Sequence, residues 1–190
     1  MAAMEAGRAL FAAVCHCRQR VLLAASHCCR QYQSFCKKSA RPSCQTSSSY
    51  GLMLGMGQLI YDMDRIAPFV QRATGVALTQ GATGLGWVKH GRLVAGAIYE
   101  GYNGANIWVH LAGEEGGQWL ARPFLRAGFA YPFLVCRVQR LWGQVDESNA
   151  CARRFDEHIG FREVARLKGA AHDGGDVLIY CMAREECRYI

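Results

Sequence analysis

From residue 62 onward the apolar positions repeat first at helical spacing, then at every second residue, then alternate between the two patterns. Ile66, Phe69, Val70 and Ala73 recur three and four residues apart, which places them on one face of a helix that Asp62 or Asp64 can cap and Gly75 would end. Pro68 is tolerable in such a helix only near its first turn. From Leu85 the period becomes two. The pattern predicts strands over 85–89, 92–100 and 105–112, joined by turns at His90-Gly91 and Tyr102–Gly104, hence a three-stranded antiparallel meander. After a glycine break at 113–117, Leu120, Phe124, Leu125, Phe129 and Phe133 mark an amphipathic helix that begins near Ala121, carries Pro123 in its first turns and ends at Pro132. Residues 138–145 predict a buried strand. Ser148 or Asn149 then caps a short helix that turns Ala152, Phe155 and Ile159 inward and stops at Gly160, and 161–167 pairs with 177–182 across the polar loop 168–176.

This organisation leaves the first fifty or so of the 190 residues outside any periodic pattern, and charge and cysteine divide the chain at the same place. Residues 1–52 hold seven Lys/Arg against the single acid Glu5, whereas 53–190 hold fifteen basic and fourteen acidic residues. The overall charge of +7 therefore belongs to the leader, and nucleic acid is not the expected partner of the nearly neutral remainder. Cys15, Cys17, Cys28, Cys29, Cys36 and Cys44 precede Met53; only Cys136, Cys151, Cys181 and Cys187 follow it. The last four lie in stretches that read as buried helix or strand, which points to a reducing, cytoplasmic compartment, with Cys136 and Cys151 as small buried hydrophobes. No leader cysteine pair has the C-x2-C spacing of a zinc grip, so no metal is expected. The apolar stretch Ala9–Val14 is too short for a secretory signal. The Arg- and Ser-rich, acid-poor composition is similar to an organelle transit peptide, but the segment reads best as a disordered basic leader, or as an over-extended start with initiation at Met53 or Met56. No run of eighteen apolar residues could cross a membrane as a helix.

One stretch carries a family likeness. Residues 145–161, Val-Asp-Glu-Ser-Asn-Ala-Cys-Ala-Arg-Arg-Phe-Asp-Glu-His-Ile-Gly-Phe, resemble the signature of the GNAT superfamily of acyl-CoA N-acyltransferases, in which a strand leads to an Asn, a helix follows with Ala three residues on, and Gly-Phe closes it. The order of elements over 57–184 is also that family's, and the overall run looks closest to small acetyltransferase-like proteins of tailed phages. The resemblance implies a mixed α/β (α+β) GNAT domain over 53–190, with a mostly antiparallel sheet and helices on both faces. It implies acetyl-CoA as co-substrate, its pantetheine arm lying between splayed strands 105–112 and 138–145. The positions it assigns to cofactor binding are Leu111, Gly113, Gly116, Gly117, Gln118, Trp119 and Asn149. The family's phosphate loop would have glycine near Trp119 and Gly or Ala at Ala121; only Ala121 complies, and Glu114 and Glu115 add negative charge beside it.

Acyl transfer to an amine needs a group that removes a proton from the nucleophile and one that protonates the departing thiolate, with no covalent intermediate. Alternation puts Trp108, His110 and Ala112 on one strand face, and imidazole titrates near neutrality, so His110 is the candidate base; a half-exposed sheet histidine is the plainer reading. Glu100 could order a water for the same purpose, or serve solubility at a strand end. Tyr99, Tyr102, Asn103 and Asn106 shape an acceptor site or simply a turn. Asp156 stands where the family often has a Tyr acid, yet a carboxyl of ordinary pKa would be ionised and a poor donor, which favours a surface role. The partners implied are acetyl-CoA and an amine-bearing small molecule or protein, with a second copy of the chain a further candidate. Three functions follow: N-acetyl transfer to a primary amine, a catalytically inactive GNAT-like binding protein, and nucleic-acid binding by the leader alone.

Overall fold

The structure is a computed structural model that describes residues 57–114 and 119–190; the leader 1–52 lies outside the described residues. Asp62 accepts a hydrogen bond from the Asp64 amide and starts helix α1 (Met63–Thr74), which Gly75 closes in the left-handed region at φ 69°. Ile66 and Val70, one helical turn apart, are its buried contacts. Pro68 departs from the sequence expectation. It is the sixth residue of the helix, where it removes a backbone donor, and it is tolerated because it lies on the exposed side.

The meander forms as strands β2 (Thr83–Lys89), β3 (Arg92–Glu100) and β4 (Asn106–Gly113), preceded by a short edge strand β1 (Gln58–Ile60) that the sequence reading did not contain. Positive φ at both His90 and Gly91 makes the two-residue turn between β2 and β3. Helix α2 (Arg122–Ala130) does start after Ala121, but Pro132 does not end it. The helix widens into a π turn, Tyr131–Val135, in which the Cys136 amide reaches back to the Tyr131 carbonyl, while the Gly128 carbonyl, which the proline cannot serve as a donor, accepts from the Tyr99 hydroxyl. Strand β5 (Arg140–Asp146), helix α3 (Ala150–Ile159), and strands β6 (Arg162–Leu167) and β7 (Val177–Ala183) complete the domain. Asn149 caps α3 through its side chain, and Gly160 ends it at φ 109°.

These strands make one sheet in the order β1-β2-β3-β4-β5-β7-β6, antiparallel throughout except where β4 meets β5. Alternation gives the sheet two coats. Ile66 and Val70 of α1 pack with Ile98 and Ala112 on one face, while Phe124 and Phe129 of α2 and Ile159 of α3 pack with Leu85, Ala97, Leu141 and Tyr180 on the other. Gly96 lies under α1, and a Cβ there would stand 2.8 Å from Val70 Cγ2 and 3.3 Å from Ile66 Cγ2. The missing side chain sets how closely α1 sits on the sheet. Gly96→Val is expected to lower stability by about 1–3 kcal/mol, the usual cost of overpacking; urea denaturation monitored by tryptophan fluorescence measures it.

Candidate active site

Strand β5 is paired to β7 along its whole length and β4 to β3 over 108–113, but β4 and β5 pair with each other only over 106–108 against 140–142. Beyond that point they part. The closed end is held by Trp108 and Trp142, whose rings are 5.9 Å apart, and by the Trp142 indole N–H, which donates to Asn106 Oδ1 at 2.9 Å. Past this clamp the inner backbone edges of Val109–Gly113 and Gly143–Asp146 have no strand partner, and buried backbone groups left this way need one. A cavity of about 620 Å³ opens between them, reaching both faces of the sheet. Gly143 contributes no side chain to it, and a Cβ there would meet nothing within 4 Å.

On the α1 face of the opening stands His110, opposite Ile98 in the ladder and beside Glu100. Its Nε2 lies 2.7 Å from Glu100 Oε1, and both side chains are nearly buried, 9% and 12% exposed. The second carboxylate oxygen of Glu100 accepts from the Thr79 amide at 2.8 Å and the Thr79 hydroxyl at 2.7 Å. Burial alone would raise the Glu100 carboxyl, but the bonds from Thr79 and His110 outweigh it and hold the pKa below its ordinary value. An ionised Glu100 only accepts, so the proton belongs on His110 Nε2 and the lone pair on Nδ1. Glu100 therefore orients the imidazole, a more specific place than the strand-end carboxylate of the sequence reading.

On the opposite face the cavity is walled by Val109, Leu111, α2 and α3. Asp156 lines it. Burial, with Glu157 adding to it, pushes the Asp156 carboxyl up to about 7, which corrects the expectation of an ordinary ionised surface carboxylate. Asn149, whose Oδ1 accepts from the Ala152 amide at 3.0 Å, stands at the cavity wall with Leu111. Gly113 and Trp119 meet at the wide end: a Cβ on Gly113 would come within 2.1 Å of the indole, which also packs 5.3 Å from the Phe155 ring. Gly116, Gly117 and Gln118 lie outside the described residues.

Other expectations change. Cys151 is exposed, standing in the first turn of α3 at the open cavity, whereas Cys136 is buried as expected. Asn103 makes the turn before β4, its Oδ1 accepting from the Ala105 and Asn106 amides. Tyr99 points to the α2 side, its hydroxyl donating to the Gly128 carbonyl at 2.7 Å, and burial raises its pKa. Thr79 was missed, since nothing in the local pattern of an aperiodic loop signals a contact twenty-one residues away. Among the described residues no group of three or more His, Cys, Asp or Glu is placed to hold a metal ion, and no helix is long and apolar enough to cross a membrane.

No protein-family model matches the chain, and no curated protein matches it in sequence. Solved structures do match its shape, each covering about two thirds of it. The spermidine/spermine N-acetyltransferase SpeG of Vibrio cholerae is similar at TM-score 0.57 and 12% identity, over 68% of this chain and 96% of that one. The ribosomal-protein-S18-alanine N-acetyltransferase of Escherichia coli is similar at TM-score 0.54 and 21% identity, over 67% and 94%. The chain has the GNAT fold. A further GNAT-fold neighbour, RimJ of Mycobacterium smegmatis, was solved in complex with CoA-disulfide and is similar at TM-score 0.54 and 17% identity, over 71% of this chain and 85% of that one. At such identities the likeness establishes the fold, and the chemistry has to be argued from this chain's own residues.

The raised Asp156 carboxyl has a measurable consequence for this GNAT domain. A carboxyl whose folded pKa exceeds its unfolded value contributes stability that is complete below about pH 4 and is lost as pH rises through about 7. Asp156→Asn is therefore expected to raise the melting temperature relative to the unsubstituted chain at pH 8, with the difference vanishing below pH 4. Thermal melts at both pH values check it.

Proposed function

We propose that this chain is an acetyl-CoA-dependent N-acetyltransferase acting on a primary amine. The observation that carries the proposal is the one-sided parting of β4 and β5. It leaves two unpaired strand edges facing an open cavity, with a base candidate on one sheet face and a carboxyl of raised pKa on the other. An extended amide-bearing arm fits such edges as an added strand would, and the absence of a side chain at Gly143 leaves room for it. When bound, acetyl-CoA supplies a thioester, an acyl group already activated for attack by an amine. GNAT-fold neighbours whose names include N-acetyltransferase favour this reading over other uses of the cavity.

In this account His110 Nδ1 takes the proton that the amine loses as the new C–N bond forms. Glu100 holds the imidazole in the required tautomer and balances the imidazolium charge. The C–S bond breaks, and Asp156, whose raised pKa of about 7 keeps a share of it protonated near neutrality, gives its proton to the departing sulfur. Asn149 and the unpaired strand edges bind and orient the donor; Leu111 and Phe155 exclude water. The second reading, a GNAT-fold protein that binds CoA without turnover, is favoured by one feature, the carboxyl of Asp156 standing where the resembled family often has a tyrosine.

Calorimetric titration with acetyl-CoA, combined with CoA-release assays over a panel of primary amines, separates the readings. Micromolar binding is expected, and Gly143→Val, which puts methyl groups into the opening without meeting another atom at its Cβ, is expected to weaken it at least ~10-fold while the domain stays folded. His110→Ala and Asp156→Asn are each expected to lower kcat by about 10²-fold or more with acetyl-CoA affinity nearly unchanged. Binding without turnover on any amine supports the second reading, and absence of binding by the folded chain refutes both.

A further inference from the structure

We infer that Thr79 is a positioning residue of this site, one that moors the Glu100 carboxylate so that its free oxygen stays aimed at His110 Nε2. The inference rests on the proposed role of His110 but is argued from a contact that role does not require. Residues Gly75–Ala82 connect α1 to β2 and pass beside the α1 face of the opening, where Thr74, Gly75 and Val76 form part of the cavity wall. Within this connection Thr79 begins a turn in which the Ala82 amide donates to the Thr79 carbonyl at 3.2 Å and Gly81 adopts φ 91°. Leu78 and Ala82, on either side of the turn, pack into the cluster under α1. The turn is thus fixed to the core independently of Glu100.

From this fixed turn Thr79 presents two donors, its amide and its hydroxyl, and both end on the same atom, Glu100 Oε2. Oε1 is left to accept from His110. A glutamate side chain has three rotatable bonds, and a single imidazole contact at its tip would not hold it in one rotamer. Two donors converging on the far oxygen fix the carboxylate plane and hence the direction of the remaining lone pairs. His110, on the neighbouring strand, is the titratable group facing Glu100; the loop offers it only the uncharged Thr79. The same two bonds favour the ionised carboxylate, which keeps Glu100 an acceptor and His110 protonated on Nε2. The 75–82 connection, Glu100 and His110 are in this way one mechanical unit, spanning a loop and two strands.

Nuclear magnetic resonance on the full, ligand-free chain tests the inference without knowledge of the acceptor. Three proteins are compared: unsubstituted, Thr79→Val, which keeps shape and amide but loses the hydroxyl, and Thr79→Ser, which restores it. In Thr79→Val the midpoint of the Glu100 carboxyl carbon titration is expected to rise by about 0.5–1 pH unit. The His110 ring nitrogens are expected to change from a single Nε2-protonated pattern to a tautomer mixture, with backbone amide shifts elsewhere unchanged. Thr79→Ser should match the unsubstituted chain in both readouts. In turnover, once an amine is found, kcat should fall about tenfold in Thr79→Val with the acetyl-CoA KM unaltered. Identical Glu100 and His110 titrations in all three proteins would overturn the inference, as would a serine variant that behaves like the valine one. Failure of the base reading is distinguishable: it would show as undiminished turnover in His110→Ala whatever the resonance data report.

Discussion

Everything proposed for this molecule depends on β4 and β5 separating after three paired residues. Beyond the split each strand stays paired on the outer side, 109–113 to β3 and 143–146 to β7, so the sheet is not weakened where they diverge; only the inner edges are released. The Trp108–Trp142 pair and the indole bond to Asn106 fix where the release begins. The separation therefore has a fixed origin, and the residues just beyond it, His110 on one strand and Gly143 on the other, take their positions from it. Unpaired N–H and C=O groups inside a protein call for a partner, and a ligand with amide groups of its own supplies one at less desolvation cost than an apolar molecule would.

The sheet also divides the chemistry. Because alternate residues point to opposite faces, His110 and Glu100 lie on the side of α1 and the 75–82 connection, whereas Asp156, Asn149 and Leu111 lie on the side of α2 and α3. The candidate base and the candidate acid are thereby kept on different faces of one opening. Their environments push the two carboxyls in opposite directions. Glu100 is buried but supplied with donors, so its pKa is held below the ordinary value; Asp156 is buried with a like charge nearby, so its pKa is pushed up to about 7. Two chemically similar side chains become an acceptor and a donor by placement alone.

Much of this was legible in the sequence. Period-two alternation over 85–112 specified the meander and placed His110 on the cleft face. The Asn149-to-Phe161 stretch specified a capped helix ending at a left-handed glycine. What escaped the sequence has identifiable causes. Strand β1 is three residues long, too short to show a period. The π turn at 131–135 hides because a proline there normally ends a helix. The raised Asp156 carboxyl depends on burial against elements far away in the chain, and the bond from Thr79 to Glu100 is a long-range contact from an aperiodic loop. Cys151 shows the converse: a residue read as buried by type stays exposed because it stands in the first turn of α3 at the open cavity.

The central claim is that the free inner edges of β4 and β5 are where the acyl donor lies, and amide hydrogen exchange with and without acetyl-CoA tests it most directly. Exchange is expected to slow selectively at amides within 109–113 and 143–146, with the ladders of β2–β3 and β6–β7 unaffected. Protection confined to other parts of the chain, or unchanged exchange at both edges when the ligand is bound, would contradict it.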